Sequence, residues 1–426
     1  MLTAAENDLL CKIEGDAPMG QIMRHYWMPA CLTEEVAEAD GTPIKVRLMG
    51  ENFVVFRDTN GRVGILDELC PHRRASLVLG RNEECGLRCL YHGWKMDIDG
   101  NVVDMPSEPE DSQFRSKVKH KAYPVKEWAG LVWVFLGDTD AVPDFEPPAW
   151  APTQDTKVSI AKANIPCNWA QILEGAIDSA HSSSLHSSDM VPSRVLEAEA
   201  DDTSWYRPST DKTPTIRTKT TDSGFHYTAT RRPIKNASTH KYVRTSVFVA
   251  PVTVLIPPNS TYNVANINVP IDDENTMFHF IGWGEDCPDP ANWREFLGTV
   301  PGVDLDSEWV SNRNTKNNFL QDRQMMKDGN FTGITGFPNQ DIAMWVTMGP
   351  VADRFNDILG ASDLAIVEFR RHMLEQAKNY LSDGDNYAQH VYCRSAAEII
   401  PSWQGVIPKD VDWSDPVERE KAKLKA

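Results

Sequence analysis

Hydrophobic positions change their period several times along the chain, and each change marks an element. From Ile44 the apolar residues alternate, with Ile44, Val46 and Leu48 separated by Lys45 and Arg47, as in a strand with one buried face. Residues 53–57 and 63–66 flank Asn60-Gly61, a two-residue hairpin signal, and Asp99-Gly100 supplies another after residues 94–98. Gly130 and Gly137 bracket a continuous apolar run short enough for a buried strand. Residues 40–137 therefore predict a small all-β domain. Ahead of it, Gly20 to Pro29 predict a helical turn region that ends at the proline and packs as a lead-in.

Pro143, Pro147, Pro148 and Pro152 then interrupt any helix or sheet, which predicts an interdomain linker over 142–152 and a boundary near residue 150. A strand is expected at 157–161. Trp169, Ile172, Leu173, Ala176, Ile177 and Ala180 recur at three and four residues, predicting a helix across 168–186. Alternation returns near 215–220, 225–230, 242–249, 252–256, 262–269 and 276–284, as in an antiparallel sheet of ordinary size. Helices are predicted at 317–326, 341–348, 363–381 and 387–400. The fold class is α+β: an N-terminal all-β domain over residues 1–150, and an antiparallel sheet covered by helices over 151–426.

Composition narrows the function. At 426 residues, 41% hydrophobic and 24% charged, the chain can bury two cores. Lys+Arg 43 against Asp+Glu 61 gives a net charge of −18, which argues against nucleic acid or an anionic membrane as partner. An anionic substrate would need locally placed cations. No apolar run approaches a membrane span, and the first residues lack a basic region followed by an apolar core, so a cytoplasmic protein is expected. Eight cysteines are too sparse for a disulfide scaffold.

Cysteine and histidine spacing adds chemistry. Cys70-Pro71-His72 and Cys89-Leu90-Tyr91-His92-Gly93-Trp94 form two hooks. Two thiolates and two imidazoles could hold structural zinc. Each hook, however, mixes one Cys with one His and can give a ligand to each of two irons, and Gly93 allows close backbone approach. The pattern resembles the Rieske fingerprint, in which two histidines replace two cysteines on one iron of a 2Fe-2S cluster. Cys85 is left over as a non-ligand. Arg73 and Tyr91, inside the hooks, are candidates for tuning the cluster.

A second constellation, Asp178-Ser179-Ala180-His181-Ser182-Ser183-Ser184-Leu185-His186, sets an acid and a histidine three apart on one helical face and another histidine five further on. Two imidazoles with one distant carboxylate make the facial triad of non-haem Fe(II). The alternative is a pair of surface histidines at a serine-rich helix end. Asn168-Trp169 through Glu174-Gly175 to His186 resembles the iron-binding segment of Rieske non-haem iron ring-hydroxylating oxygenases. Residues 23–29, and Asp353-Arg354 to Arg370-Arg371, extend the resemblance to nearly the whole chain.

That resemblance implies specific roles. Asp341, after Gln340, would complete the triad with His181 and His186, unless it is only a helix N-cap; Asp357 and Asp363 are competitors. Asp178 would bridge His181 to His72 or His92 of a neighbouring copy, implying a head-to-tail ring, a trimer or stacked trimers. Otherwise it is an ordinary partner of His181. Electrons would come from a separate reductase, as no Gly-x-Gly-x-x-Gly follows a strand. The implied reaction adds O2 to an aromatic ring as a cis-diol, with monooxygenation or O-demethylation of a carboxylated aromatic as the alternative. A pure electron carrier or a zinc-structured protein are the readings of other classes. For a phthalate-like aromatic dicarboxylate, arginine suits the planar carboxylates. Arg207, among aromatics, and Arg244, sharing a strand face with Tyr242, Ser246 and Phe248, are the candidates. Arg217, Arg231 and Arg232 are alternatives, with Arg231-Arg232-Pro233 expected at a strand end in solvent.

Overall fold

The computed structural model describes residues 1–109, 112–192, 205–258, 261–384, 399 and 401–423. It divides into two units, one of Ile13–Phe145 and one of Met1–Lys12 with Glu146–Ala426. The linear pattern groups residues 1–12 with the first domain, but helix α1 (Ala4–Cys11) belongs to the second. It is anchored there by buried bonds from Asn7 Nδ2 to Ala352 O and from Trp169 Nε1 to Cys11 O, both 3.1 Å.

Ile13–Phe145 is built from three small antiparallel sheets. Ile44–Leu48, Glu51–Arg57, Val63–Asp67 and Ala122–Tyr123 form one; Arg81–Glu83, Gly86–Arg88, Lys95–Met96 and Val102–Asp104 form the second. The third sets Trp27–Leu32 beside Leu131–Phe135 and Val125–Trp128. Pro29 therefore lies inside a strand rather than at a helix end. The strand is at the sheet's edge, and the register shifts between Pro29 and Cys31, where a residue without an N–H is tolerated. The core includes Val54, Phe56, Leu66, Leu87, Trp94 and Met96, and it takes in Cys70 and Cys89.

The second unit is organised by an eight-stranded antiparallel sheet: β1 (Val158–Ile165), β2 (Thr215–Thr221), β3 (Gly224–Arg231), β4 (His240–Val249), β5 (Thr253–Ile256), β6 (Asn263–Pro270), β7 (Thr276–Trp283) and β8 (Trp403–Pro408). Its order is β1-β7-β6-β5-β4-β3-β2, with β8 added to the free part of β4. Directly opposed residues share a face. The pairs Tyr227↔Ser246, Ala229↔Arg244, Val254↔Phe248, Val254↔Asn266 and Asn266↔Phe280 therefore put Tyr227, Arg244, Ser246, Asn266 and Phe280 on one side. Helices α2 (Trp169–Ile177) and α3 (Phe337–Thr347) pack with that side, where Ile172, Phe278, Phe337, Ile342 and Trp345 join one core. Helix α4 is Leu364–Asp383.

Three expectations change. The helix expected across 168–186 ends at Ile177, so Asp178 and His181 are joined by a turn and not by a helical face. The helix expected at 317–326 is a 3-10 segment, Thr315–Leu320, and a short helix, Arg323–Lys327, because Asn318, Phe319 and Leu320 take left-handed backbone. The helix expected at 341–348 starts four residues earlier, at Phe337. The helix expected at 387–400 falls almost wholly outside the described residues. Among the described residues no helix is long and apolar enough to cross a membrane.

Candidate active site and metal centres

After α2, the Asp178 carboxylate accepts from the backbone N–H of Ala180 (2.6 Å) and His181 (3.3 Å), closing a turn that leads into a 3-10 segment, His181–Ser183. This brings His181 Nε2 to 3.2 Å from His186 Nε2. Helix α3 opens at Gly336, with φ of 87°, and Pro338 lies in its first turn. One turn on, Asp341 Oδ1 stands 3.5 Å from His181 Nε2 and 3.2 Å from His186 Nε2. Asp341 is thus not an N-cap. Nor are the histidines a surface pair: His186 is buried and stacked on Phe337, with ring centroids 3.7 Å apart. Asp357 is engaged by Arg370 at 2.7 Å, and Asp363 accepts from Gly360 N at 2.6 Å.

The donor set asks for a cation. His181 Nδ1 lies 3.4 Å from Asp178 Oδ2, and His186 Nδ1 is 2.8 Å from Gln340 Oε1. With a proton on each Nδ1, both Nε2 atoms present lone pairs to one another and to the Asp341 carboxylate. Burial opposes charge on His181, yet the hydrogen bond to Asp178 and the charges of Asp341 and Asp178 raise its pKa above the ordinary value. Burial likewise pushes the Asp178 carboxyl up, but its hydrogen bond with His181, that residue's charge and the turn N–H groups hold it below its ordinary value. A site that favours positive charge at His181 also suits a metal ion, and two imidazoles with one carboxylate could hold Fe(II).

His181 and Asp341 lie in a wall common to two cavities, and His186 lines the inner one alone. Gly175, Asp178, His181, Asp341 and Trp345 line both. A Cβ at Gly175 would fall 2.0 Å from Trp345 Nε1, so only glycine admits that indole. The inner cavity has walls of Trp205, Phe278, Phe280 and Phe337, with Tyr227, Arg244, Ser246 and Asn266 from the sheet face. The other is a depression bordered by Phe331, Met344 and Met348, all substantially exposed.

The arginines separate by position. Arg244 lines the inner cavity, its Nη2 donating to Pro257 O (3.0 Å) and Nη1 to Gln404 Oε1 (3.3 Å). Arg207 does not line it; its Nη2 and Nη1 donate to Ser182 Oγ (2.8 Å) and Ser183 Oγ (3.1 Å). Arg231, expected in solvent, is only 2% exposed and donates to Ser179 O (2.8 Å) and Ser183 Oγ (3.2 Å). Its side chain points to the inner face of the sheet, which the Arg-Arg-Pro sequence does not reveal. Arg217 and Arg232 are exposed. Burial pushes Arg207 down to about 10 and Arg231 down to about 9, with neighbouring arginines adding to both shifts.

In the first unit, the loop carrying Cys70 and His72 is closed by Cys70 N to Ala75 O (2.9 Å), and the loop carrying Cys89 and His92 by Cys89 N to Trp94 O (2.8 Å). The His72 and His92 rings lie 4.4 Å apart, and His72 stacks on Trp94 at 4.5 Å. Gly93, at φ 75°, leaves no room for a side chain against Pro106. His92 Nδ1 is buried with no partner among the described residues. Burial, with Cys89 adding, pushes the Cys70 thiol well above its ordinary value, so a thiolate at Cys70 needs metal to hold it. These four side chains fit a cluster with two sulfur and two nitrogen ligands. Arg73 lies over the Tyr91 ring at 5.1 Å on the exposed rim.

The linear reading missed the bond of His186 to Gln340, the bonds of Arg231, and Glu174, whose Oε1 accepts from Arg354 Nε and Arg370 Nε at 2.8 Å each. For Glu174 the available signal was the two arginines of the family-like stretches, Arg354 and Arg370.

Residues 26–127 match the Rieske [2Fe-2S] domain, and residues 134–424 match the LigXa C-terminal domain like family. The phthalate 4,5-dioxygenase oxygenase subunit of Pseudomonas putida is 62% identical over 417 residues, covering 97% of this chain and 94% of that protein. The 3-chlorobenzoate-3,4-dioxygenase oxygenase subunit of Comamonas testosteroni is 34% identical over 98% of each chain. The structure of Pseudomonas putida CBB5 NdmB shares the fold, with a TM-score of 0.61 at 18% identity over 87% of this chain and 96% of that one. These likenesses set aside a zinc-structured protein and a pure electron carrier. The chain belongs to the Rieske non-haem iron aromatic ring-hydroxylating oxygenases, as the oxygenase component that uses a 2Fe-2S cluster, a mononuclear iron, O2 and electrons from a separate partner.

Proposed function

We propose that the chain is the oxygenase of a phthalate 4,5-dioxygenase, converting phthalate to the 4,5-cis-dihydrodiol with electrons from an NAD(P)H-dependent reductase. Cys70, His72, Cys89 and His92 would hold the cluster in a domain corresponding to Ile13–Phe145. His181, His186 and Asp341 would hold Fe(II) in the rest of the chain. The observation that carries the reading is Arg244, a buried guanidinium in the same apolar cavity as the three convergent ligands. The 62% identical relative is named for phthalate.

The iron, when bound, supplies the oxidation chemistry with O2. The chain supplies position. Phe278, Phe280 and Phe337 favour a flat apolar ring, and Arg244 offers a charged donor to one carboxylate. Arg207 and Arg231, bonded only to neutral groups among the described residues, add positive charge behind Ser182 and Ser183 and favour a dianion. Two buried cations so placed are costly unless something anionic comes near. The depression exposing Asp178 and His181, with its apolar rim, suits a second copy whose His72 or His92 reaches Asp178, as in a head-to-tail trimer. A cytoplasmic location fits the free cysteines among the described residues.

Turnover with a matched reductase, NADH, phthalate and labelled O2 tests this. The expected product is the 4,5-cis-dihydrodiol with both new oxygens labelled. Absence of any dihydrodiol would overturn it.

A further inference from the structure

We infer that Gln340 and Asp189 are positioning residues of the mononuclear centre: Asp189 fixes the amide of Gln340, and that amide fixes the tautomer of His186. The inference rests on the reading of His181, His186 and Asp341 as iron ligands and adds two residues to it. Gln340 directly precedes Asp341 in α3 and is 2% exposed. Its Nε2 donates to Asp189 Oδ2 (2.9 Å) and to Ile334 O (3.1 Å). A carboxylate and a carbonyl are acceptors only, so the nitrogen must lie at that end of the amide. Oε1 is left for His186 Nδ1 at 2.8 Å, and an oxygen there requires the imidazole proton on Nδ1. Nε2 of His186 then carries its lone pair toward His181 and Asp341.

An amide turned by 180° would set its NH2 against Nδ1 and drive the proton to Nε2, where the metal must bind. The two acceptors at the far end oppose that turn. Asp189 itself belongs to the His186 turn, its N–H donating to His186 O at 3.0 Å. One glutamine thus ties the turn bearing one ligand to the helix bearing another. His181 has an aspartate directly on Nδ1, whereas His186 has a neutral amide with the carboxylate one bond further out.

The test is Fe(II) titration of the full-length protein after selective chelation of the mononuclear iron, with near-UV circular dichroism reporting an intact fold and the visible spectrum showing that the 2Fe-2S cluster is retained. Gln340→Met keeps length and removes the acceptor, and should weaken Fe(II) binding about 10- to 100-fold. Asp189→Ala leaves Gln340 in place but removes the carboxylate that holds its amide, and should weaken Fe(II) binding by a smaller factor, about 3- to 10-fold. Parental affinity in Gln340→Met would overturn the inference in favour of simple packing, and parental affinity in Asp189→Ala would remove Asp189 from it. A parent that takes up no iron at this site would remove the ligand reading, and the inference with it.

Discussion

The Asp178 carboxylate stands 3.4 Å from Nδ1 of His181 while also accepting from the N–H groups that close the turn between them. It therefore faces both cavities with its charge committed to one imidazole. If it also carries electrons toward His181, Asp178→Asn should leave cluster content and cluster reduction unchanged. Reoxidation of the pre-reduced cluster by O2 and substrate should slow about 10- to 100-fold. Stopped-flow absorbance of the cluster reads this directly; an unchanged rate would reduce Asp178 to a turn-closing residue.

Arg244 and Arg207 should separate as contact and support. Arg244→Met removes a charged donor in the cavity, so KM for phthalate should rise roughly 30-fold or more, about 2 kcal/mol, with a monocyclic arene lacking carboxylates little affected. Arg207→Met instead takes the guanidinium from Ser182 and leaves Ser183 to Arg231 alone in the segment bearing His181, so it should lower kcat for both substrates, with only a small further rise in KM for phthalate from the lost charge. Steady-state kinetics on the two substrates decides the assignment. Equal effects of both variants on both substrates would dissolve the distinction.

Legibility followed the range of the interaction. The hairpins of the first unit and most strands of the sheet could be read from alternation and Asn-Gly or Asp-Gly turns, because both signals are local. The ligand spacing in the two Cys/His hooks and in His181 to His186 was equally local. Asp341 was reached through resemblance, since 155 residues separate it from His186 and no periodicity links them. Arg231 was misplaced because its neighbour Arg232 is exposed, and period two puts adjacent residues on opposite faces. The end of α2 at Ile177 was missed for a related reason: Asp178 draws backbone N–H groups into a turn, and the serines that follow bond to Arg207 and Arg231, which lie far away in sequence. β8 was missed because its partner in β4 is over 150 residues distant.

Acid sensitivity should come in part from His279. It is buried on β7, and burial, then Lys162, pushes it down to about 3, against the backbone groups of Ile267 and Met277, which favour its charge. The unfolded chain binds this proton below about pH 6.5, whereas the folded protein refuses it until about pH 3. The stability contribution is thus complete above that unfolded value and is lost as pH falls through the window. His279→Leu should lessen the fall by one proton, about 1.4 kcal/mol per pH unit within the window, in urea unfolding followed from pH 7 to 4. An unchanged slope would show that the ring finds a proton partner in the fold.

Glu174 should be among the costliest single residues in the second unit to remove. Its carboxylate receives Arg354 Nε and Arg370 Nε at 2.8 Å each, Arg354 is 1% exposed, and Arg354 Nη1 also reaches Asn7 Oδ1 (3.1 Å) and Cys11 Sγ (3.0 Å) in α1. Truncating the acid leaves two buried guanidiniums, one with Asp357 as its remaining anion and the other with none in direct contact among the described residues. Breaking a buried pair this way costs about 3–5 kcal/mol, far more than the pair is worth against an apolar replacement of the whole group. Glu174→Ala should therefore lower the urea midpoint strongly, whereas Glu174→Leu/Arg354→Met should recover much of the loss, because the more buried cation goes with its partner. Glu174 sits next to Gly175 and four residues before Asp178, so the single variant should also loosen the His181 turn and release iron before global unfolding. Iron content measured below the unfolding transition separates the two effects. Iron retained up to the transition would confine Glu174 to holding α1 and α4 against α2.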